Sequence, residues 1–427
     1  MISTAAVELR SNLAHIGGRI AHLQSQLALL QADAQNIREK LAAIVYPILT
    51  LPLEILSEIF LQYTGEYPTP GCNPMVPASV CSLWREVALS TPRLWTRFGS
   101  ECHVALESVH ISDLVRLWLS RAGSLPLDLR ISLTDAGHRE RPRIVDDLSE
   151  YSSQWGHLDL TRYRRQSVPN NCRYLPASLD APRLTEIQCT QVSLEELHTS
   201  LPWAQITTLY FHDQIIDCLK LFEYTPNLEY FELTPGNYDL SRDITSPRRT
   251  LPRLHTLHLG QDRSHWIIPH LTLPALRVIH VENFVTADIL EMQELVERSG
   301  CTPTSFYIST SSADDAGTIE GTLLALPSLE HLEIDCGENS RAGYEVLFGI
   351  LVREPIVPVL RRLELVECTT PIEVPSLVQM LEARMGGRVQ LESFNLAFTE
   401  QDAYEWGIHL NIKRALDTLR GLRDQGL

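Results

Sequence analysis

Residues 255–270, HTLHLGQDRSHWIIPH, gather four histidines: His255, His258, His265 and His270. Two imidazoles three residues apart can share a zinc ion when both project from one face of a helix. Here Pro252 and Gly260 bracket a run with a strand pattern, and strand positions of opposite parity face opposite sides. The spacing therefore predicts separately satisfied or solvated histidines and no metal. Cys102 and His103 are adjacent, which does not aim a base at a thiol. Glu195–Glu196 and Asp314–Asp315 fall in polar turns and read as solvated. The chain contains no G-x-S-x-G elbow, no H-E-x-x-H and no G-x-x-x-x-G-K phosphate loop. The residues that could do chemistry thus predict a binding protein without a catalytic centre or cofactor.

Composition narrows the partners. The chain has 427 residues, 44% of them hydrophobic and 21% charged, enough for two or three domains with a sizeable core. A formal net charge of −17, with only small basic clusters at 162–165, 248–249 and 361–362, argues against a nucleic-acid groove. Nine cysteines without a CxxC pair suggest neither a disulfide framework nor a zinc ribbon. The start of the sequence lacks the layout of a secretory signal, and no apolar run reaches membrane-spanning length. These features predict a protein of the cytoplasm, the nucleus or both, with no membrane contact.

The elements follow from periodicity. Leu9, Leu13, Ile16, Ile20, Leu23, Leu27, Leu30, Ala34, Ile37, Leu41 and Ile44 recur in alternating steps of four and three, a heptad seam. It predicts a long coiled-coil helix over 1–46 that either pairs with a second copy through 9–44 or folds back on its own chain. Gly17 and Gly18 weaken that helix by about 1 kcal/mol each.

Residues 47–98 read as a small helical module. LPLEILSEIF carries one apolar stripe through Leu53, Leu56, Phe60 and Tyr63, and a second through Ile55 and Ile59. A helix so apolar around its circumference needs a partner beyond its own core. GEYPTPGCNPMVPAS, with four prolines and two glycines, reads as loop. VCSLWREVAL resumes helical spacing, and Leu94 and Trp95 close the unit. Residues 99–150 add a helix over Asp113–Ala122 and a first strand at Leu127, Leu129 and Ile131.

From residue 151 to the end one skeleton recurs, P-x-L-x-x-Φ-x-Φ with Φ apolar: PNLEYFEL, PRLHTLHL, PALRVIHV, PSLEHLEI and PVLRRLEL. PRLTEIQC fits with Cys189 in the last apolar slot; WGHLDL, ITTLYF, PTSFYI and LESFNL are weaker copies. This resembles leucine-rich repeats, each unit giving one short strand and returning by a turn or helix. The resemblance implies an α/β solenoid over 151–427, closed by an amphipathic helix through Ile408, Ile412, Ala415, Leu416 and Leu419. The two apolar positions fill the core, and the residue between them faces the open, concave side. That column reads Gln188, Tyr210, Glu232, His258, His280, Tyr307, Glu333, Glu364 and Asn395. Tyr210, Glu232, His258, His280, Tyr307, Glu333 and Glu364 are the expected target-binding residues, suited to a protein or peptide.

The module at 47–98 resembles an F-box. Leu51, Pro52, Glu54, Ile55, Leu56, Ile59 and Phe60 match its opening signature, and Val80, Cys81, Trp84, Arg85, Ala88, Leu94 and Trp95 its second half. WLSRAGSLPLDLRI and the preceding heptads look like the flanking segments of large fungal F-box families; the long proline-rich loop after Phe60 departs from the pattern. The resemblance implies docking on the adaptor subunit of an SCF-type cullin–RING ubiquitin ligase, and through it on cullin. Leu51, Pro52, Leu53, Ile55, Leu56, Ile59, Phe60, Val80, Trp84, Leu94 and Trp95 would make the contact. The repeats would hold a target protein near the charged ubiquitin-conjugating enzyme, without bond chemistry of their own. The rival reading is an interaction scaffold outside ubiquitin transfer, dimerised by its coiled coil.

Overall fold

The computed structural model describes residues 4–42, 47–65, 71–99, 111–134, 143–163, 175–176, 179–192, 197–212, 215–234, 246–260, 264–282, 288–309, 316–335, 343–353, 356–368, 374–385 and 391–398. The predicted C-terminal cap lies outside these residues, as do Cys102–His103, Glu195–Glu196 and Asp314–Asp315. The chain divides into two compact units, residues 1–63 with 74–91, and residues 64–73 with 92–427.

The first unit is helical. Helix α1 (Thr4–Ala42) runs unbroken through Gly17 and Gly18 and, at 1.5 Å per residue, extends roughly 60 Å. Its large seam residues from Leu9 to Leu41 are between 50% and 73% exposed, so among the described residues the seam is not packed within its own unit. Helix α2 (Leu53–Thr64) starts where the Pro52 carbonyl accepts the Ile55 and Leu56 N–H groups at 3.1 Å. Helix α3 (Met75–Val80) lies in the stretch expected to be loop. Pro77 is its third residue, where the backbone N–H would have no helical partner, so the first turn tolerates it. A break at Cys81 then separates α3 from α4 (Ser82–Leu89), and the Cys81 sulfur accepts the Trp84 N–H at 3.5 Å.

The second unit is mixed α/β and built on one parallel sheet. Its strands are β1 (Arg97–Gly99), β2 (Leu127–Thr134), β3 (Trp155–Tyr163), β4 (Glu186–Thr190), β5 (Thr208–His212), β6 (Tyr230–Leu233), β8 (Thr256–Leu259), β10 (Val278–Glu282), β11 (Ser305–Ser309), β12 (His331–Asp335), β13 (Arg362–Cys368) and β14 (Ser393–Phe398). These twelve pair strictly in chain order. Two short strands, β7 (Arg249–Thr250) and β9 (Leu271–Thr272), form a separate parallel pair. Parallel neighbours need a crossover, and helices at Asp288–Ser299, Ala316–Ala325, Gly343–Val352 and Val374–Met385 supply it in the later units.

The paired apolar positions fill the core. Leu209 and Phe211, Phe231 and Leu233, Leu257 and Leu259, Ile279 and Val281, and Leu332 and Ile334 are all buried, and Cys189 takes its apolar slot fully buried beside Ile187. Burying each such side chain contributes about 1.5–3 kcal/mol, repeated along the sheet. The first strand is β1 rather than the Leu127 segment; three residues are too short to show alternation. Trp95 and Phe98 explain its place, because both pack edge-on against Trp118 of helix α5 (Ile111–Ala122), at 5.1 and 6.0 Å. The Arg121 guanidinium lies 4.3 Å over the Trp95 ring.

Candidate functional site

In α2 the buried side chains are Leu56, Phe60 and Thr64, and the Phe60 ring packs against Trp84 of α4 at 5.1 Å. Arg85 ties α4 to α3 by donating Nε–H to the Ala78 carbonyl at 2.9 Å. This interior corrects the sequence assignment. Leu56 and Phe60 are 0% and 2% exposed and belong to the core, as do Leu94 and Trp95, which sit in the second unit. None of these four can lie on a docking surface without unfolding. Trp84 is half-buried, as is Leu51, and Pro52 is exposed.

Beside the exposed Glu54, Glu58 and Gln62, large apolar side chains also remain outside. Ile55 is 49% exposed, Ile59 40%, Leu53 51% and Val80 59%, joined by Tyr63, Met75, Val76 and Leu89. Exposed apolar side chains scattered singly are ordinary, but Leu53, Ile55, Ile59 and Tyr63 fall on one short helix. The α2 helix therefore divides differently from its sequence pattern: Leu53 and Tyr63 join Ile55 and Ile59 on the outside.

On the sheet, the predicted column is continuous. Register pairs Gln188 with Tyr210, Tyr210 with Glu232, Glu232 with His258, and His258 with His280. It then pairs His280 with Tyr307, Tyr307 with Glu333, Glu333 with Glu364, and Glu364 with Asn395. Register also extends the column back to Asp159 and Arg130, which sequence reading passed over. Arg130 Nε donates to Asp159 Oδ2 at 2.6 Å, holding a carboxylate that is otherwise buried.

The column's side chains partner one another. Tyr230 donates its hydroxyl to Glu232 Oε2 at 2.8 Å, and the same oxygen lies 2.9 Å from His258 Nδ1. His258 Nε2 faces Glu282 Oε1 at 3.4 Å. The His258 and His280 rings stack at 3.9 Å, and His280 stacks on Tyr307 at 5.4 Å. The Tyr307 hydroxyl lies 3.3 Å from His331 Nδ1, while His331 Nε2 meets Glu364 Oε1 at 3.2 Å.

These contacts set the charges. Burial pulls the His258 pKa down, but the hydrogen bond and charge of Glu232, with the charge of Glu282, push it above the ordinary imidazole value. Burial, and then the neighbouring charge of His258, lower His280. Burial would raise Glu232, yet the hydrogen bonds from His258 and Tyr230 hold it below the ordinary carboxylate value. Burial, then the charge of Glu364, raise Glu333.

The four histidines of residues 255–270 do not converge. His255 is exposed beside Thr256 and Glu229, His265 packs on Trp266, and His270 Nδ1 lies 3.0 Å from the Ser246 carbonyl. Among the described residues no helix is long and apolar enough to cross a membrane. Comparison with protein-family models and with curated proteins finds no match to the chain.

Proposed function

We propose that the chain is an F-box-type substrate-recognition subunit of an SCF cullin–RING ubiquitin ligase, acting without bond chemistry of its own. One observation carries the reading: Leu53, Ile55, Ile59 and Val80 stay exposed while Leu56 and Phe60 fill the interior behind them. Apolar helix faces of this kind suit a partner's groove. The resemblance of residues 51–95 to an F-box supplies the partner, the ligase adaptor, and through it cullin. The repeats then act as a solenoid whose strand face holds the target. Glu186, Glu232, Glu282, Glu333, Asp335 and Glu364 lie along that face with Arg362 among them, so a basic target segment is the complementary one. Holding target lysines near a bound ubiquitin donor raises their effective concentration, which is the whole contribution of such a subunit. The test is recovery of the adaptor and cullin with the tagged chain. Loss of both on Ile55→Glu supports the reading, and failure of the unmodified chain to recover the adaptor ends it.

The exposed seam of α1 favours self-association as well, since an apolar stripe along its length is uncovered within its own unit among the described residues. A second copy aligned on residues 9–44 would cover it. Recovery of the adaptor without cullin would favour the scaffold reading, with the coiled coil as its organising element.

A further inference from the structure

His258, His280 and Glu282 come together from two strands. His258 and His280 are register partners across β8 and β10, and Glu282 lies two residues beyond His280 on the same face. Their candidate ligand atoms all lie within 4.8 Å of one another. We propose that these three side chains form a binding site for a divalent transition-metal ion of the zinc type, with Glu232 positioning His258 from behind.

Four features support it. The buried His258 Nε2 atom faces Glu282 Oε1 at 3.4 Å, in an ion pair without the alignment of a good hydrogen bond. Two donor atoms on one tetrahedral zinc, each about 2.0 Å from the metal, are themselves about 3.3 Å apart. The other ring nitrogen, Nδ1, is held by Glu232, which is held in turn by Tyr230. A carboxylate behind the far nitrogen is the usual support of a metal-binding imidazole, fixing its tautomer and aim. Lastly, Gly260 makes room: a Cβ there would lie 3.0 Å from Thr234 Oγ1 and 3.4 Å from Glu282 Oε2.

Two imidazoles and a carboxylate suit zinc and its first-row neighbours over magnesium or calcium, and leave one coordination position for water or a ligand. The His258 and His280 rings stack in this structure, so binding turns the half-buried His280 ring about χ2 toward the shared position. A second cluster, His331, Glu333 and Glu364, has comparable proximity. That cluster offers one imidazole rather than two, and behind His331 Nδ1 stands the Tyr307 hydroxyl at 3.3 Å rather than a carboxylate.

The site needs nothing from adaptor docking and is tested separately. The full chain, stripped with chelator, is titrated with Co²⁺ and then Zn²⁺ as the only added ligands. The expected result is one saturable equivalent, with the visible absorption of a four-coordinate Co²⁺ ion and no thiolate charge-transfer band. His280→Ala and Glu282→Gln should each weaken affinity at least 100-fold, and Glu232→Gln 10- to 100-fold. Gly260→Ala should weaken it without removing a ligand, while His331→Ala and His255→Ala leave it unchanged. Circular dichroism of each variant keeps lost binding distinct from lost folding. Absence of saturable binding, a thiolate band, or binding undiminished in both His280→Ala and Glu282→Gln overturns the assignment.

Discussion

Ile55 and Leu56 are adjacent in sequence and should respond to substitution in opposite ways. Leu56 is 0% exposed, and Leu→Ala at such a site loses both transfer free energy and the energy of a residual cavity, about 3 kcal/mol. In a small helical unit a loss of that size lowers Tm by on the order of 10–20 °C. Ile55 is 49% exposed, so removing its side chain forfeits roughly half of a full burial, about 1 kcal/mol. It is the third residue of α2, where a glutamate gains about 0.3–1 kcal/mol from the helix dipole. Ile55→Glu should therefore melt close to the unmodified chain. At an interface centre the same change removes an apolar anchor and buries a charge, costing 2 kcal/mol or more, roughly 30-fold in Kd. Calorimetric titration with purified adaptor, beside thermal melts, reads both quantities. Adaptor affinity unchanged in Ile55→Glu would refute docking through this face, whatever Leu56→Ala does to stability.

Three further outcomes follow from particular contacts. Leu23→Lys with Leu27→Lys should convert a dimer to a monomer in sedimentation equilibrium, because both residues lie on the exposed seam; a monomeric unmodified chain at micromolar concentration would refute pairing through α1. Arg384→Ala should destabilise the sheet unit by about 3 kcal/mol in urea, since hydrogen bonds to a charged donor are worth about 1.5–3 kcal/mol each before solvent screening. Its guanidinium donates to the Leu351, Ile356 and Val357 carbonyls at 2.6, 2.7 and 3.0 Å, holding a turn in which Val357 has a φ of 41°. His157 should add to stability a limb that falls as pH rises past about 6.5. Burial lowers its pKa, but the 2.6 Å hydrogen bond and charge of Asp128, with the charges of Glu186 and Asp159, raise it overall. Arg97 and Arg130 moderate those carboxylates. A raised folded value means this stabilisation is complete below the unfolded pKa of about 6.5 and is lost as pH rises through the folded pKa. His157→Gln should flatten that limb in urea midpoints measured against pH; an unchanged slope would refute the assignment.

The sheet was legible because its rule is short. Parity within P-x-L-x-x-Φ-x-Φ decides which side chains go inward, and nine strands place their middle residue where that parity puts it. Helix α2 was harder. Apolar residues cover most of its circumference, and a 3.6-residue period cannot say which arc the core takes; packing of Phe60 on Trp84 decides it. Helix α3 was hidden because proline reads as a breaker unless its place in the first turn is known. Strand β1 was hidden because its pairing with β2 depends on an aromatic cluster with Trp118 rather than on alternation.

Among the histidines, neighbours in the chain are not partners in space. His255 and His258, close in sequence, are partnered separately by Glu229 and Glu232. Parallel pairing in chain order places neighbouring side chains one repeat apart, about 4.8 Å in space. Glu232 thereby reaches His258 across 26 residues, and His258 meets His280 through register alone. In such a sheet the unit of chemistry is the column, read at the period of the repeat. Each residue in it has two fixed neighbours, so the properties of one side chain depend on residues a repeat away. Glu232 illustrates this: it accepts from Tyr230 on its own strand and supports His258 on the next, and its removal would leave both without that acceptor. Substitutions along this column are therefore expected to act in coupled groups.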